Sequence, residues 1–559
     1  MKTNRLGKLG FAAALMGSLL AASSANAQNA KNVILMISDG AGFNTFRMTD
    51  KYYGETPVYE GTDFVKFGMQ THSAGTSANP TWATYNSAAM FNGSNSTFAM
   101  TTPTDSASAA TAMYTGVKNY DGEVNWTTDD KPLTTYFEKA ASIKNRSIGA
   151  VTTVEFSHAT PAAVYGHNSS RNNYAAIGYE GVYGSNPVND LANSSSNPQA
   201  GDNNNYDSLN YNSNLKVLMG AGNGDYNDSG AAANTVDNYV GGNATWTDIK
   251  DGAPNGWSVA QTKVEFEAVA NGTVASAPDK LLGVAQVNTT LQQGRANPAG
   301  DFDPLNANVP TLATMTKAAL NVLAKNANGF AVMIEGGAVD WAGHANQTDR
   351  NIEEHRDFNL AVKSVVDFVD LGGDDIDWTN TLLIVTADHE TGNLWGNGTY
   401  TDNTTGNGNG IWNPGETFTD TIKNGVYDTG EAFTDASNGT FTEGWDAFHG
   451  FQTIDGAGAA VMTDVQWLSG DHTNALVPLF AKGAGSELFA NYVIGTENIS
   501  ANYGTGTAGF ADGNVGYIDN TSVYSVMASA SAVPEPSTYA LMGLGGLLVV
   551  WTLRRKRTA

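Results

Sequence analysis

Three unbroken apolar runs, each ending in an acid, constrain this chain more than any other feature of its sequence. Asn32-Val33-Ile34-Leu35-Met36-Ile37-Ser38 runs into Asp39-Gly40, Phe330-Ala331-Val332-Met333-Ile334 into Glu335-Gly336-Gly337, and Leu382-Leu383-Ile384-Val385-Thr386-Ala387 into Asp388-His389-Glu390. A run without polar alternation suits a strand covered on both faces, as in a parallel sheet. Ligands of open α/β sheets bind beyond the carboxyl ends of the strands. The three runs therefore deliver acids to one sheet edge.

Helical periods separate the runs. Pro310 to Ala327 places Leu312, Met315, Ala319 and Leu323 on one face and stops at Asn328-Gly329; Asp349 to Val369 repeats the period and ends before Gly372-Gly373. Strand alternating with helix predicts a doubly wound α/β sandwich. Two stretches rich in Asn, Gly, Asp and Ser, near 185–214 and 396–444, break the rhythm. Core motifs resume after each, so both read as surface insertions in one large catalytic unit spanning 28–530.

Pro103-Thr104-Asp105-Ser106-Ala107-Ser108-Ala109-Ala110 offers a nucleophile. Ser106 follows an acid and opens a small-residue helix, where a hydroxyl and backbone N–H groups favour an anion; the competing reading is a Ser that merely caps an Ala-rich helix. Asp340 and His344 stand four apart, on one face if that turn is helical. Asp388-His389 and His472 add ligands of the same kind. Imidazole with carboxylate, in a chain without cysteine, suits a catalytic zinc site and excludes thiolate chemistry. A net charge of −26 argues against nucleic acid as a partner. It also means that a phosphate site needs local positive charge, which metals can supply.

The ends carry sorting signals. Residues 1–27 read as a secretory signal peptide, with Lys2, Arg5 and Lys8 before the apolar run Leu9 to Leu20 and Ala25-Asn26-Ala27 before Gln28. In the tail, 531–559, Val533-Pro534-Glu535-Pro536-Ser537 precedes an apolar run from Tyr539 to Leu553 and the cluster Arg554-Arg555-Lys556-Arg557. This tail resembles a PEP-CTERM sorting signal, which implies recognition by an exosortase-like machinery, transient inner-membrane anchoring through a short transmembrane helix, and delivery to the cell surface or outside the cell. A plain membrane anchor is the alternative.

The later insertion repeats itself. Asn409 to Asp420 recurs fifteen residues on as Asn424 to Asp435. With Gly410 and Gly425 at loop position 6, Glu416 and Glu431 fall at position 12 of a calcium loop, and the second copy adds Asp420, Asn424 and Asp428. Other positions lack oxygen ligands, so calcium stands beside a merely turn-rich insertion as an open choice.

Taken in order, Asp39-Gly40, Thr104-Asp105-Ser106-Ala107, His158-Ala159-Thr160-Pro161, Arg171, Glu335 to His344, Thr386-Ala387-Asp388-His389 and His472 resemble the bacterial alkaline phosphatase family over nearly the whole mature length. The resemblance implies an α/β three-layer sandwich with a mostly parallel central sheet, and a phosphomonoesterase acting through a phosphoserine on Ser106. It implies one zinc on Asp340, His344 and His472, a second on Asp39, Asp388, His389 and the Ser106 oxygen, and a magnesium on Asp39, Thr160 and Glu335. Arg171 would grip the substrate phosphate, and the family is often dimeric. His158 and Trp341 stand where enterobacterial members carry Asp and Lys; His158 either reaches the magnesium through a water or is a structural histidine. Rival readings are a phosphodiesterase or sulfatase of the same superfamily, and a non-catalytic matrix protein.

Overall fold

The eleven strands of the main sheet explain why the apolar runs lack alternation. They are β1 (Asn32–Ser38), β2 (Val65–Gln70), β3 (Ser147–Glu155), β4 (Leu215–Ala221), β5 (Ser258–Ala260), β6 (Leu281–Val284), β7 (Phe330–Gly336), β8 (Thr381–Thr386), β9 (Val477–Gly483), β10 (Gly495–Asn498) and β11 (Asn514–Asp519). Their order across the sheet is β10-β11-β2-β9-β8-β1-β7-β3-β4-β6-β5. The computed structural model describes residues 30–91, 98–184, 214–235, 237–252, 254–296, 302–372, 375–396, 399–401, 440–442 and 453–533.

Every residue of β1, β3, β7 and β8 is buried. These central strands pair in parallel, as does the flank running to β5, whereas β9 runs antiparallel to both its neighbours and β10 to β11. Burying a Val, Ile or Leu side chain stabilises by about 1.5–3 kcal/mol, so a slip that exposed one of these runs would be opposed along its whole length.

Helices cover both faces. The predicted amphipathic segments are α3 (Leu312–Leu323), capped by the Thr311 hydroxyl, and α5 (Thr348–Leu371). Helix α3 packs on β3 and β7, and the helix Tyr136–Lys144 packs on the same two strands. Three further helices matter below: α1 (Phe43–Tyr53), α2 (Ser106–Thr115) and α4 (Ala338–His344).

Past β8 the chain forms Glu390–Thr391 and Leu394–Gly396, and later returns as Val465–Trp467, paired with Leu394–Gly396, and His472–Thr473, paired with Glu390–Thr391. A Cβ on Gly396 would stand 2.1 Å from the Thr453 carbonyl oxygen, so the two ends of the intervening stretch touch. The calcium-like positions Glu416, Asp420, Asn424, Asp428 and Glu431 lie outside the described residues, as do the signal peptide, most of the 185–214 stretch and the tail from Pro534 onward. Among the described residues no helix is long and apolar enough to cross a membrane.

Candidate active site

Strand register sets the acids in a row. Ser38 lies abreast of Gly336, and Ile37 lies between Glu335 on one side and Thr386 on the other. Asp39 therefore emerges one residue past the sheet, next to Glu335 and Asp388. Gly40 follows at φ 75°, a left-handed turn that suits glycine, and a Cβ there would meet the Asp340 Cα at 2.8 Å. The turn lets Gly40 N–H donate to Asp388 Oδ1 at 3.2 Å, where His389 N–H also donates at 3.0 Å.

Helix α4 begins directly after β7, and one turn of it separates Asp340 from His344, bringing His344 Nε2 to 3.3 Å from Asp340 Oδ2. The antiparallel pairing of His472–Thr473 with Glu390–Thr391 carries His472 to the same carboxylate, with Nε2 3.4 Å from Asp340 Oδ1. Carbonyl oxygens orient both rings: His344 Nδ1 donates to Gly470 O at 2.6 Å and His472 Nδ1 to Thr104 O at 2.8 Å. Their Nε2 atoms, 3.1 Å apart, are thereby directed at the cluster.

A second group joins it. One ligand atom each from Asp39, Asp388 and His389 lies within 4.8 Å of the others, and the same holds for Asp340, His389 and His472. His389 thus belongs to both groups. Thr160 Oγ1 donates to Asp39 Oδ2 at 3.5 Å, and the Thr152 hydroxyl donates to Glu335 Oε2 in a short bond. All nine residues that the sequence motifs nominate for metal, Ser106 included, converge on this one edge.

The electrostatics are those of a cation site. Burial, then the neighbouring Asp388, Asp340 and Glu335, raises Asp39 well above the usual carboxylate range. Burial raises Glu335 to about 8 and Asp388 to about 6, with further contributions from nearby acids. Burial acts on Asp340 in the same direction, but hydrogen bonds from His344 and His472 hold it well below its ordinary value. Asp39 Oδ1, Asp388 Oδ2 and Glu335 Oε1 are buried without a hydrogen-bond partner. The single ring atom His389 Nε2 lies 3.5 Å from Asp39 Oδ1 and 3.3 Å from Asp388 Oδ2, and carboxylates packed this closely with so few donors fit divalent cations.

Ser106 is the first residue of α2, but the cap is Asp105, whose Oδ1 accepts from Ser108 N–H at 3.0 Å. The competing reading of Ser106 as a mere capping serine is thereby set aside: the preceding carboxylate takes that role from extended backbone. The Ser106 hydroxyl is left to meet His389 Nε2 at 3.1 Å. Arg171 pairs through Nη1 with Asp105 Oδ2 at 2.8 Å and donates from Nη2 to His158 Nε2 at 3.1 Å. Burial, then Arg171, lowers His158 to about 3, so this ring accepts the bond as neutral imidazole. Ser106, Arg171, His158, Asp340, His344 and His472 face one cleft of about 410 Å³, whose remaining wall includes Trp341, Ala345 and Gln293.

Sequence reasoning missed three participants. Thr391 Oγ1 donates to Asp340 Oδ1 at 2.5 Å and lies 3.3 Å from His389 Nδ1; its place two residues after His389 was the available signal. Asp105 was read only as an acid before the serine, yet it holds Arg171 across 66 residues. Gln293 lies in no motif.

A hydroxyl at a helix start, converging with a fixed guanidinium on a cation-ready cluster, suits cleavage of a small anionic ester by displacement. Fold and cleft together define an α/β protein of mostly parallel sheet with an anion-ready cleft at its sheet edge. The family described as alkaline phosphatase matches residues 30–531, and a PEP-CTERM protein-sorting motif matches 532–557. Alkaline phosphatase 4 of Bacillus subtilis is 27% identical over 489 residues, covering 84% of this chain and 87% of its own. Alkaline phosphatase of Escherichia coli is 29% identical over 380 residues, covering 64% and 70%. Among solved structures, alkaline phosphatase from Thermus thermophilus superposes with a TM-score of 0.52 at 20% identity, covering 90% of this chain and 92% of its own, and supports the fold. The chain belongs to the alkaline phosphatase family.

Proposed function

We propose that this enzyme is an exported, metal-dependent phosphomonoesterase that works through a phosphoserine on Ser106. The observation that carries the reading is the Ser106 hydroxyl, 3.1 Å from His389 Nε2 at the start of α2 and in one cleft with Arg171. Asp340, His344 and His472 would hold one zinc. Asp39, Asp388, His389 and the Ser106 oxygen would hold a second, and Asp39, Thr160 and Glu335 a magnesium. When bound, such ions supply Lewis acidity that lowers the pKa of a coordinated oxygen and stabilises charge on attacking and leaving oxygens.

The protein's own groups do the rest. Arg171, held by Asp105, presents a planar fork to two non-bridging phosphate oxygens. Backbone N–H groups at the start of α2 favour the same anion. Ser106 Oγ bonds to phosphorus as the bond from phosphorus to the ester oxygen breaks, and the serine proton ends on the departing alcohol; water then displaces Ser106 from phosphorus, and one proton of that water returns to the serine oxygen. A dianion gripped by Arg171 leaves little room for a second ester arm, which disfavours a phosphodiesterase. A non-catalytic matrix role gives no reason for Ser106, Arg171 and the ligands to converge.

Acid quenching during turnover of a labelled monoester should trap phosphate on Ser106, as mapped by peptide mass, and Ser106→Ala should abolish the label. Label on another residue of the active wild-type enzyme would falsify the assignment.

Export follows from the leader at 1–27 and the sorting motif, with exosortase-type processing of the tail and a single catalytic unit at 28–530 between them. Transient inner-membrane anchoring through the apolar run from Tyr539 to Leu553, homodimer formation and weak calcium binding by Asp420, Asn424, Asp428, Glu431 and Glu416 remain parts of the same proposal.

A further inference from the structure

The cleft has a second wall that the phosphate chemistry does not use. Trp341 follows Asp340 on α4, is half-buried, and lines the cleft beside Ser106 and Arg171. Its indole meets the His158 ring edge-on, with centroids 5.7 Å apart, and His158 in turn stacks on Tyr174 at 6.3 Å. This file of rings fixes the indole, so its orientation does not have to be chosen when a ligand arrives.

Gln293 stands on the same wall. Its loop is pinned from behind: Leu291 N–H donates to Thr153 O at 2.9 Å, and the buried Arg295 binds Gln292 O, Asp303 O and Glu353 Oε2 at 3.0, 2.9 and 2.7 Å. The Gln293 Nε2 donates to Gln347 Oε1 at 2.9 Å, and Gln347 N–H donates to Ala342 O on α4 at 2.9 Å. One amide proton is thus spent on tying the loop to the helix that carries His344. Among the described residues none pairs with the amide's other proton or its oxygen.

A stacking face and an amide edge that can both donate and accept are complementary to a planar ring with hydrogen-bonding groups on its rim. We infer that this wall selects the leaving group, favouring phosphomonoesters of nucleosides, with the base on the Trp341 indole and its edge toward Gln293. The inference rests on the phosphomonoesterase reading and deepens it. A cleft of about 410 Å³ falls in the lower part of the ~300–1,000 Å³ range of small-molecule sites, enough for a phosphate and one ring-bearing group. Stacking also gives attraction that does not depend on charge, which matters in a chain of net charge −26 offered an anionic substrate. A simple phenol would use the indole without the amide, and glycerol would lack the stacking.

The test compares kcat/KM of the metal-loaded enzyme for adenosine 5′-monophosphate, phenyl phosphate and glycerol 3-phosphate. The first and last are both esters of primary alcohols, so their ratio reports recognition rather than leaving-group reactivity. Wild type should favour the nucleotide by about tenfold, toward the low end of base–aromatic stacking. Trp341→Ala should remove most of that ratio and Trp341→Phe should keep most of it. Gln293→Ala should lower the nucleotide relative to phenyl phosphate, with inhibition by inorganic phosphate unchanged because that ion has no leaving group. Equal kcat/KM for nucleotide and glycerol ester in wild type, or a ratio unmoved in Trp341→Ala and Gln293→Ala, would overturn the inference while leaving the phosphomonoesterase standing. If none of the three esters is hydrolysed, the phosphomonoesterase reading fails first and takes this one with it.

Discussion

Two buried histidine–carboxylate clusters in this molecule use the same residue types for opposite ends. Behind the helix Tyr136–Lys144, His167 sits between Glu138 and Glu180, with ring nitrogens 3.3 and 3.8 Å from their oxygens. Glu138 also completes a capping box with Thr135. Burial opposes a charge on His167, but the two carboxylates raise it well above its ordinary value, which favours a cation within the cluster itself. At the sheet edge Asp39, Glu335, Asp340 and Asp388 outnumber His344, His389 and His472, and three of their oxygens make no hydrogen bond, two of them sharing only the His389 Nε2 at 3.5 and 3.3 Å. Burial, then His472, lowers His389 far below the ordinary imidazole range, which removes one internal source of positive charge. An excess of acceptors over donors, rather than the presence of His and Asp, marks the site that calls for an external cation.

The sharpest way to break this contrast is to exchange the effects. Asp340→Asn should cut kcat/KM by more than the ~10–100-fold seen when a residue one shell outside a metal is changed, with the fold retained by circular dichroism. His167→Ala should do the reverse, costing about 3–5 kcal/mol in denaturant unfolding by stranding two buried carboxylates, with turnover nearly intact. A stable His167→Ala protein would mean that the two clusters do not differ in kind.

Thr391→Val sharpens the comparison from the active-site side. It removes the hydroxyl that donates to Asp340 Oδ1 and should lower metal affinity by about 10–100-fold, read by competition with a chelator. An unchanged affinity would leave the orientation of Asp340 to His344 and His472 alone.

The smallest effect is a pH dependence. The folded pKa of His167 lies above the unfolded value of about 6.5, so its contribution is complete below that pH and fades as pH rises through the folded pKa. The gap in melting temperature between wild type and His167→Gln should therefore narrow toward alkaline pH. A gap that widens would give the cluster the wrong sign.

What the sequence could reveal follows from range. Asp39, Glu335 and Asp388 were legible because each closes a strand buried on both faces, and Asp340 with His344 because one helical turn relates them. The flanking strands were not: Val65–Gln70 and Asn514–Asp519 are partly exposed, short, and neighbours only through a sheet order unrelated to chain order. The Asp340 to Thr391 bond spans 51 positions and the Gln293 to Gln347 bond 54, so no local pattern announces either pairing, although the nearness of Thr391 to His389 in the chain hinted at its place. The sequence placed Ser106 at the start of a helix but left open whether it capped that helix, because serine and aspartate both serve that position and only the structure shows Asp105 in it.

The contact between Gly396 and Thr453 has a consequence for how such a chain can change over generations. The two ends of the stretch between them meet at one seam, and beyond it the short strands Glu390–Thr391 and His472–Thr473 are paired, holding His472 beside Asp340. Lengthening a loop whose ends already meet adds closure entropy only logarithmically. A change of length between these two ends therefore leaves the pairing that positions His472 with little to absorb, since the ends meet whatever lies between them.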